Sequence, residues 1–127
     1  MTLHTLNSQN TVLNKFIAQI RDKSIQTDSM RFRRNLERIG EITAYEISKE
    51  LSYTPRVVET PLGEATVETI DDRIVVATIL RAGLPYHQGF LTYFDDAENP
   101  FVSAYRKSTQ DGKFTVKVEY ISCGDLE

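Results

Sequence analysis

No run of apolar residues in this 127-residue sequence is long enough to cross a bilayer, and its polar start lacks a signal-peptide core. A single cysteine, Cys123, excludes an intrachain disulfide framework and suits a reducing compartment. His4 and His87 stand alone, so no zinc-ligand spacing exists. Neither a glycine-lysine phosphate loop nor a G-x-G-x-x-G turn after a strand occurs. Positive charge is not in excess either. The net charge is −3, which gives no reason to expect general attraction to nucleic acid or anionic lipid. Any anion site must be local, built from a few placed arginines. Internal repeats and low-complexity tracts are absent. We therefore expect a cytoplasmic protein that engages neither membrane nor nucleic acid.

What is present describes an ordinary globular domain. With 40% hydrophobic and 26% charged residues over 127 positions, one domain (1–127) can bury a core without disulfides or metal. Its first part, 10–52, reads as helical. Val12, Leu13, Phe16, Ile17 and Ile20 share one helical face, and that helix should end near Asp22-Lys23. Asp28 or Ser29 can cap a second helix to about Leu51, with Phe32, Leu36, Ile39, Thr43 and Ile47 on its apolar face. Arg31, Arg33, Arg34 and Arg38 crowd its N-terminal half, against the preference of the helix dipole. Two explanations stand. Arg33 and Arg34 can pair with Glu37 and Arg38 with Glu41, or the Arg31-Arg34-Arg38 edge can meet an anionic effector or a second subunit.

Tyr53-Thr54-Pro55 breaks the helix, and residues 56–70 read as a β-hairpin flap with a four-residue loop, Pro61 to Glu64. Polar alternation predicts one wet face. Ile74 to Leu80 then forms an apolar, largely β-branched run, the pattern of a buried strand. Pro85 suits the first position of a helix that Asp95-Asp96 and Asn99-Pro100 close. Phe101 to Arg106 is the next strand, so residues 74–106 make a βαβ core with parallel strands. A turn at Ser108 to Gly112 leads to an alternating strand, Lys113 to Ser122, and residues 106–122 read as a protruding β-hairpin arm. Phe114, Val116, Val118 and Tyr120 should share one face of it.

The chemistry concentrates where the run from Ile74 ends. Arg81, Ala82 and Gly83 follow the strand at once and lead into a helix, so they sit at the carboxyl edge of the sheet, where α/β folds bind ligands. A helix start favours anions, and a guanidinium fork matches phosphate oxygens. Gly83 would let backbone N–H groups approach a phosphate closely. Arg106, at the end of the neighbouring strand, would project from the same edge. Two arginines there point to an oligophosphate site; pairing with loop carboxylates is the bland alternative. His87 reads as a surface or packing residue, and Cys123 as an inert one. Solvation accounts for Asp95, Asp96 and Glu98.

Ile79-Leu80-Arg81-Ala82-Gly83-Leu84 and Ser103-Ala104-Tyr105-Arg106-Lys107 resemble uracil phosphoribosyltransferase. Arg31-Phe32-Arg33 and Gly40 to Glu46 resemble the long N-terminal helix of that family, and Thr60-Pro61-Leu62-Gly63 its flap. The resemblance implies an α/β, type I phosphoribosyltransferase-like parallel sheet with N-terminal helices, a β flap and a protruding β-hairpin arm. It implies transfer of a phosphoribosyl group from 5-phosphoribosyl 1-diphosphate (PRPP) to uracil, giving UMP and diphosphate. Mg2+ would accompany the diphosphate, GTP activates some members, and the arm would make a homodimer or higher homo-oligomer. Arg81, Ala82, Gly83 and Arg106 would bind the diphosphate of PRPP.

One departure is large. The family's acidic-led ribose-phosphate loop with its Ala-Thr-Gly run, and its later uracil loop, do not occur in these residues. We therefore expect an incomplete phosphoribosyltransferase, inactive by itself. A non-catalytic phosphoribosyltransferase-like module that binds a nucleotide or partner is the alternative, and a purely structural dimerisation piece is a third.

Overall fold

The structure is a computed structural model that describes residues 3–108 and 114–122. The Asp111-Gly112 turn and Cys123 lie outside the described residues. Among the described residues eight elements follow in order: α1 (Leu13–Arg21), α2 (Ser29–Ser48), β1 (Tyr53–Thr60), β2 (Gly63–Ile70), β3 (Thr78–Leu80), α3 (Leu84–Tyr93), β4 (Phe101–Ser108) and β5 (Phe114–Ser122). The mixed α/β architecture is the expected one.

The second helix, α2, begins where its cap predicts. The Asp28 carboxylate accepts the Arg31 backbone N–H at 2.9 Å, which satisfies a donor that the first turn of α2 leaves free. The apolar face of α2 differs from the pattern. Its buried residues are Asn35, Gly40 and Ala44, while Ile47 is exposed. Small residues go inside because α3 crosses there at very short range, and the larger side chains flank the crossing. Ala44, Phe94 and Ala97 form the buried cluster, with Leu51, Ile74, Val76, Phe90 and Leu91 packed around it.

The flap is longer than its pattern, pairing Tyr53 with Ile70 through to Thr60 with Gly63. The loop is therefore two residues, Pro61-Leu62, not four. Thr60 Oγ1 closes it by accepting the Leu62 N–H and donating to the Gly63 carbonyl, while Gly63 takes a φ of 125° open only to glycine. Both faces of the hairpin are largely exposed, rather than one. Its base is tied to the body by the Tyr53 hydroxyl donating to the Ser48 carbonyl and by the Ser52 N–H on Asp72.

The strand expected over 74–80 forms a ladder only at 78–80, with a single bridge from Val75 to Glu98 before it. Pro100 explains the break: it lacks the N–H that the ladder needs between the Val75 bridge and Thr78. Nor is the strand fully buried. Ile74, Val76, Thr78 and Leu80 are half-buried, whereas Val75, Ala77 and Ile79 are exposed, because α3 covers only one side. The crossover itself is as expected: β3 and β4 are parallel. β5 joins antiparallel to β4, giving a mixed sheet in the order β3-β4-β5.

Arm and core share a strand. Pairing of β4 with β5 runs back to Phe101 opposite Ser122, well before Arg106. A bulge between Ser103 and Ala104 shifts the register, so the simple alternation of β5 fails. Ile121, Val118 and Val116 all lie opposite residues of one β4 face, namely Val102, Ala104 and Arg106.

Candidate functional site

β3 ends at Leu80, residues 81–83 form a turn, and α3 starts at Leu84 with Gly83 as its N-cap. Pro85 sits in the first turn of the helix, where a missing N–H costs nothing. The loop is pinned from both ends. Gly83 N–H donates to the Ile79 carbonyl at 3.2 Å, Leu84 N–H to Arg81 at 3.2 Å, and His87 N–H to Gly83 at 2.9 Å. The peptide between Leu80 and Arg81 is cis.

Gly83 is required for a reason the sequence did not show. Its φ is −74°, which any residue adopts, but a Cβ there would collide with the Thr78 hydroxyl and come within 3.0 Å of the Ile79 carbonyl oxygen. Thr78, missed in the sequence, therefore lies directly under the loop. No periodicity marks it, because the contact depends on how the loop folds back over the strand.

Arg81 and Ala82 are exposed. The Arg81 side chain has no hydrogen-bond or ionic partner among the described residues. The bland alternative of a loop carboxylate therefore has no counterpart in the described contacts of Arg81. Arg106 also lies at the carboxyl end of the parallel pair, exposed on β4 and opposite Val116. Because Leu80 is level with Ser103, Arg106 stands one strand over and two residues beyond the level of Arg81, roughly 7 Å farther along. The four residues proposed from sequence thus share one edge of the sheet.

The arginines of α2 take a different course. Arg34 pairs with Glu37, as one sequence reading expected, and Arg31 lies 3.5 Å from Asp28. Arg38 departs from its predicted pairing with Glu41. It donates to Asn35 Oδ1 at 3.0 Å and lies 5.2 Å above the Phe16 ring. Burial of Asn35 at the α1–α2 contact presents an acceptor closer than Glu41, and Phe16 covers the guanidinium face.

His87 is a packing residue, not a surface one. It is 4% exposed, with its ring 5.3 Å from that of Phe101. Burial pushes its pKa below the ordinary imidazole value. A cavity of about 320 Å³ on this side of the sheet is lined by Ile47, Thr78, Tyr86, His87, Phe90 and neighbouring apolar residues, and does not reach the loop.

The uracil phosphoribosyltransferase family model matches residues 7–119. The chain belongs to the uracil phosphoribosyltransferase family. It is 53% identical over 121 residues to a uracil phosphoribosyltransferase of Porphyromonas gingivalis, covering 95% of this chain and 56% of that protein. A uracil phosphoribosyltransferase of Methanothermobacter thermautotrophicus is 38% identical over 120 residues, 93% of this chain and 54% of that protein. The chain thus spans about half the length of the curated relatives it matches. The AQ2163 protein of Aquifex aeolicus shares the fold, with a TM-score of 0.76 at 22% identity over 93% of this chain and 55% of that one. Within the family fold, the turn from β3 into α3 presents an exposed arginine, Arg81, just ahead of a helix start.

Proposed function

We propose that this chain supplies the diphosphate-binding wall of a uracil phosphoribosyltransferase site, in which uracil and PRPP give UMP and diphosphate. One observation carries the reading. In a member of this family, Arg81 stands unengaged among the described residues, at the start of α3, on a loop held by three backbone hydrogen bonds. When the bond from the ribose anomeric carbon to the diphosphate oxygen breaks, negative charge grows on the leaving group. Arg81, the backbone at Ala82-Gly83, and Arg106 would stabilise that charge electrostatically, with no reorganisation of a loop already pinned.

Mg2+ belongs to the substrate in this reading. Among the described residues no group of three or more His, Cys, Asp or Glu is placed to hold a metal. GTP activation is a property the resemblance implies, and no residue is assigned to it. The partners of Arg31, Arg34 and Arg38 within α1 and α2 favour a solvated face over an effector site. We place the protein in the cytoplasm; no helix among the described residues is long and apolar enough to cross a membrane. We expect no turnover from these 127 residues alone, since the loops for ribose phosphate and uracil are absent from them.

The test is a chimera joining this chain to the remaining half of the Porphyromonas gingivalis relative. PRPP-dependent UMP formation by the chimera, lost on Arg81→Ala, is the expected result. A folded but inactive chimera, or activity indifferent to Arg81→Ala, would overturn the reading. The alternative of a non-catalytic module predicts nucleotide binding by the chain that survives Arg81→Ala.

A further inference from the structure

His87 occupies a position in α3 that joins the carriers of the two arginines. Its backbone N–H holds the Gly83 carbonyl at 2.9 Å, and its ring packs on Phe101, the first residue of the strand that bears Arg106. Among the described residues neither ring nitrogen has a hydrogen-bond partner, and both are buried. A neutral imidazole tolerates such a place; an imidazolium does not, since a buried charge without a partner is strongly disfavoured.

The described residues around the ring include no charged group that compensates an imidazolium. From α2 the adjoining cavity is faced by Ile47, from the strand segment by Ile74, Val76 and Thr78, and from α3 by Tyr86 and Phe90. Tyr86 is the sole other titratable group among these, and Phe101 covers the ring from β4. At the crossing of α2 with α3 stand the charged residues Glu37, whose carboxylate is held by Arg34, and Glu41; neither lines the cavity.

We propose that the neutral His87 ring is a positioning residue that locks the Arg81–Gly83 loop to β4, and that its protonation unlocks the loop. The sign follows from burial. The unfolded or opened chain binds the proton more readily than the closed one, so the closed form holds above the ordinary imidazole value of about 6.5 and is lost as pH falls. The conformational coupling stands by itself; its effect on diphosphate binding rests on the function proposed for Arg81.

The experiment is an NMR titration of the 127-residue chain from pH 8 to pH 5. The two histidine signals are assigned with His4→Gln, and the chain in urea serves as the unfolded reference. We expect His87 to titrate below its value in urea, with the Arg81 and Gly83 amide signals moving at the same midpoint. In His87→Phe, which keeps a ring against Phe101, that movement should vanish. Loop amides that ignore the His87 midpoint, or that still move in His87→Phe, overturn the proposal. If His87→Phe does not fold, the wild-type titration decides alone. Inorganic diphosphate is then added to both proteins, so that its own ionisation cancels. Affinity falling at the His87 midpoint only in the wild type supports both readings. Coupled amides without diphosphate binding support the positioning role and count against the Arg81 site.

Discussion

Gly40 on α2 and Gly89 on α3 share one crossing, so close that neither tolerates a methyl group. A Cβ on Gly40 would collide with the Tyr86 carbonyl oxygen and come within 3.2 Å of Gly89 Cα. One on Gly89 would collide with the Glu37 carbonyl and reach Gly40 Cα at 2.9 Å. These neighbours are backbone, which cannot swing aside. Since α3 carries the loop at its start, this crossing fixes where Arg81 stands relative to the sheet.

Gly89→Ala should therefore destabilise the protein although alanine is the better helix former. Overpacking of about 1–3 kcal/mol outweighs a propensity gain of up to about 1 kcal/mol. Urea unfolding followed by circular dichroism reads the result as a lower midpoint. Gly63→Ala serves as contrast: no atom lies within 4 Å of its Cβ, so its cost comes only from the φ of 125°. A stabilised Gly89→Ala would mean that the helices do not meet this closely.

Local patterns in the sequence made some of these features legible and hid others. Pro85 after a strand-like run marked the turn into α3, and the spacing from Asp28 marked the start of α2. The contact between Gly89 and Gly40 was not readable, because hydrophobic periodicity looks for large residues. The α2 face was misplaced for the same cause: its buried positions are Asn35, Gly40 and Ala44. Arg81 and Arg106 could be placed on one edge from strand order alone. Thr78 under Gly83 and His87 against Phe101 could not, since both depend on the loop folding back and on the β3–β4 pairing.

Asn35 is fully buried on α2, and its amide meets two partners. It donates to Gln19 Oε1 of α1 at 2.8 Å and accepts from Arg38 at 3.0 Å. Asn35→Ala removes both and leaves the Gln19 acceptor unmatched at the helix contact, a loss of about 2 kcal/mol. The double variant Gln19→Ala, Asn35→Ala should cost less than the sum of its parts, with a coupling of about 1 kcal/mol in thermal or urea unfolding. Strict additivity would show that the amide pair contributes nothing.

Acid should loosen the start of α2 through Asp28. The Arg31 backbone N–H holds its carboxyl below the usual carboxylate value. A group whose folded pKa is depressed contributes stability that is present above the unfolded value of about 3.9 and is lost as pH falls through the folded value. Asp28→Asn keeps a capping oxygen without the charge, so it should resemble the wild type at neutral pH and lose part of the acid dependence. Asp28→Ala should melt lowest of the three at pH 7. Melting temperatures at pH 7 and pH 3 for the three proteins check the order.

Arg81→Lys separates charge from shape at the candidate site. Lysine retains the positive charge but not the planar fork that grips two phosphate oxygens at once. In the active chimera, KM for PRPP should rise about tenfold, the equivalent of one charge-assisted hydrogen bond at roughly 1.5 kcal/mol. Arg81→Ala should cost more. Equal KM for wild type and Arg81→Lys would reduce Arg81 to a point charge.

Val116, Val118 and Ile121 expose more than half of their surface on one face of β5, alongside Ile79 on β3. Four large aliphatic residues on a sheet that α3 covers only on its other side form a contiguous apolar strip, which in water favours a partner. We propose that this partner is a second copy, bound through the β4–β5 arm, as the resemblance to uracil phosphoribosyltransferases implies. Sedimentation velocity should then show association that rises with concentration. It should change little between 50 mM and 500 mM salt, because apolar burial is not screened as ion pairs are. Val118→Lys places a charge at the middle of the strip without touching the buried cluster, so it should give a folded monomer with unchanged circular dichroism. A wild-type chain that stays monomeric at high concentration, or a Val118→Lys dimer as tight as the wild type, would remove the arm from the interface.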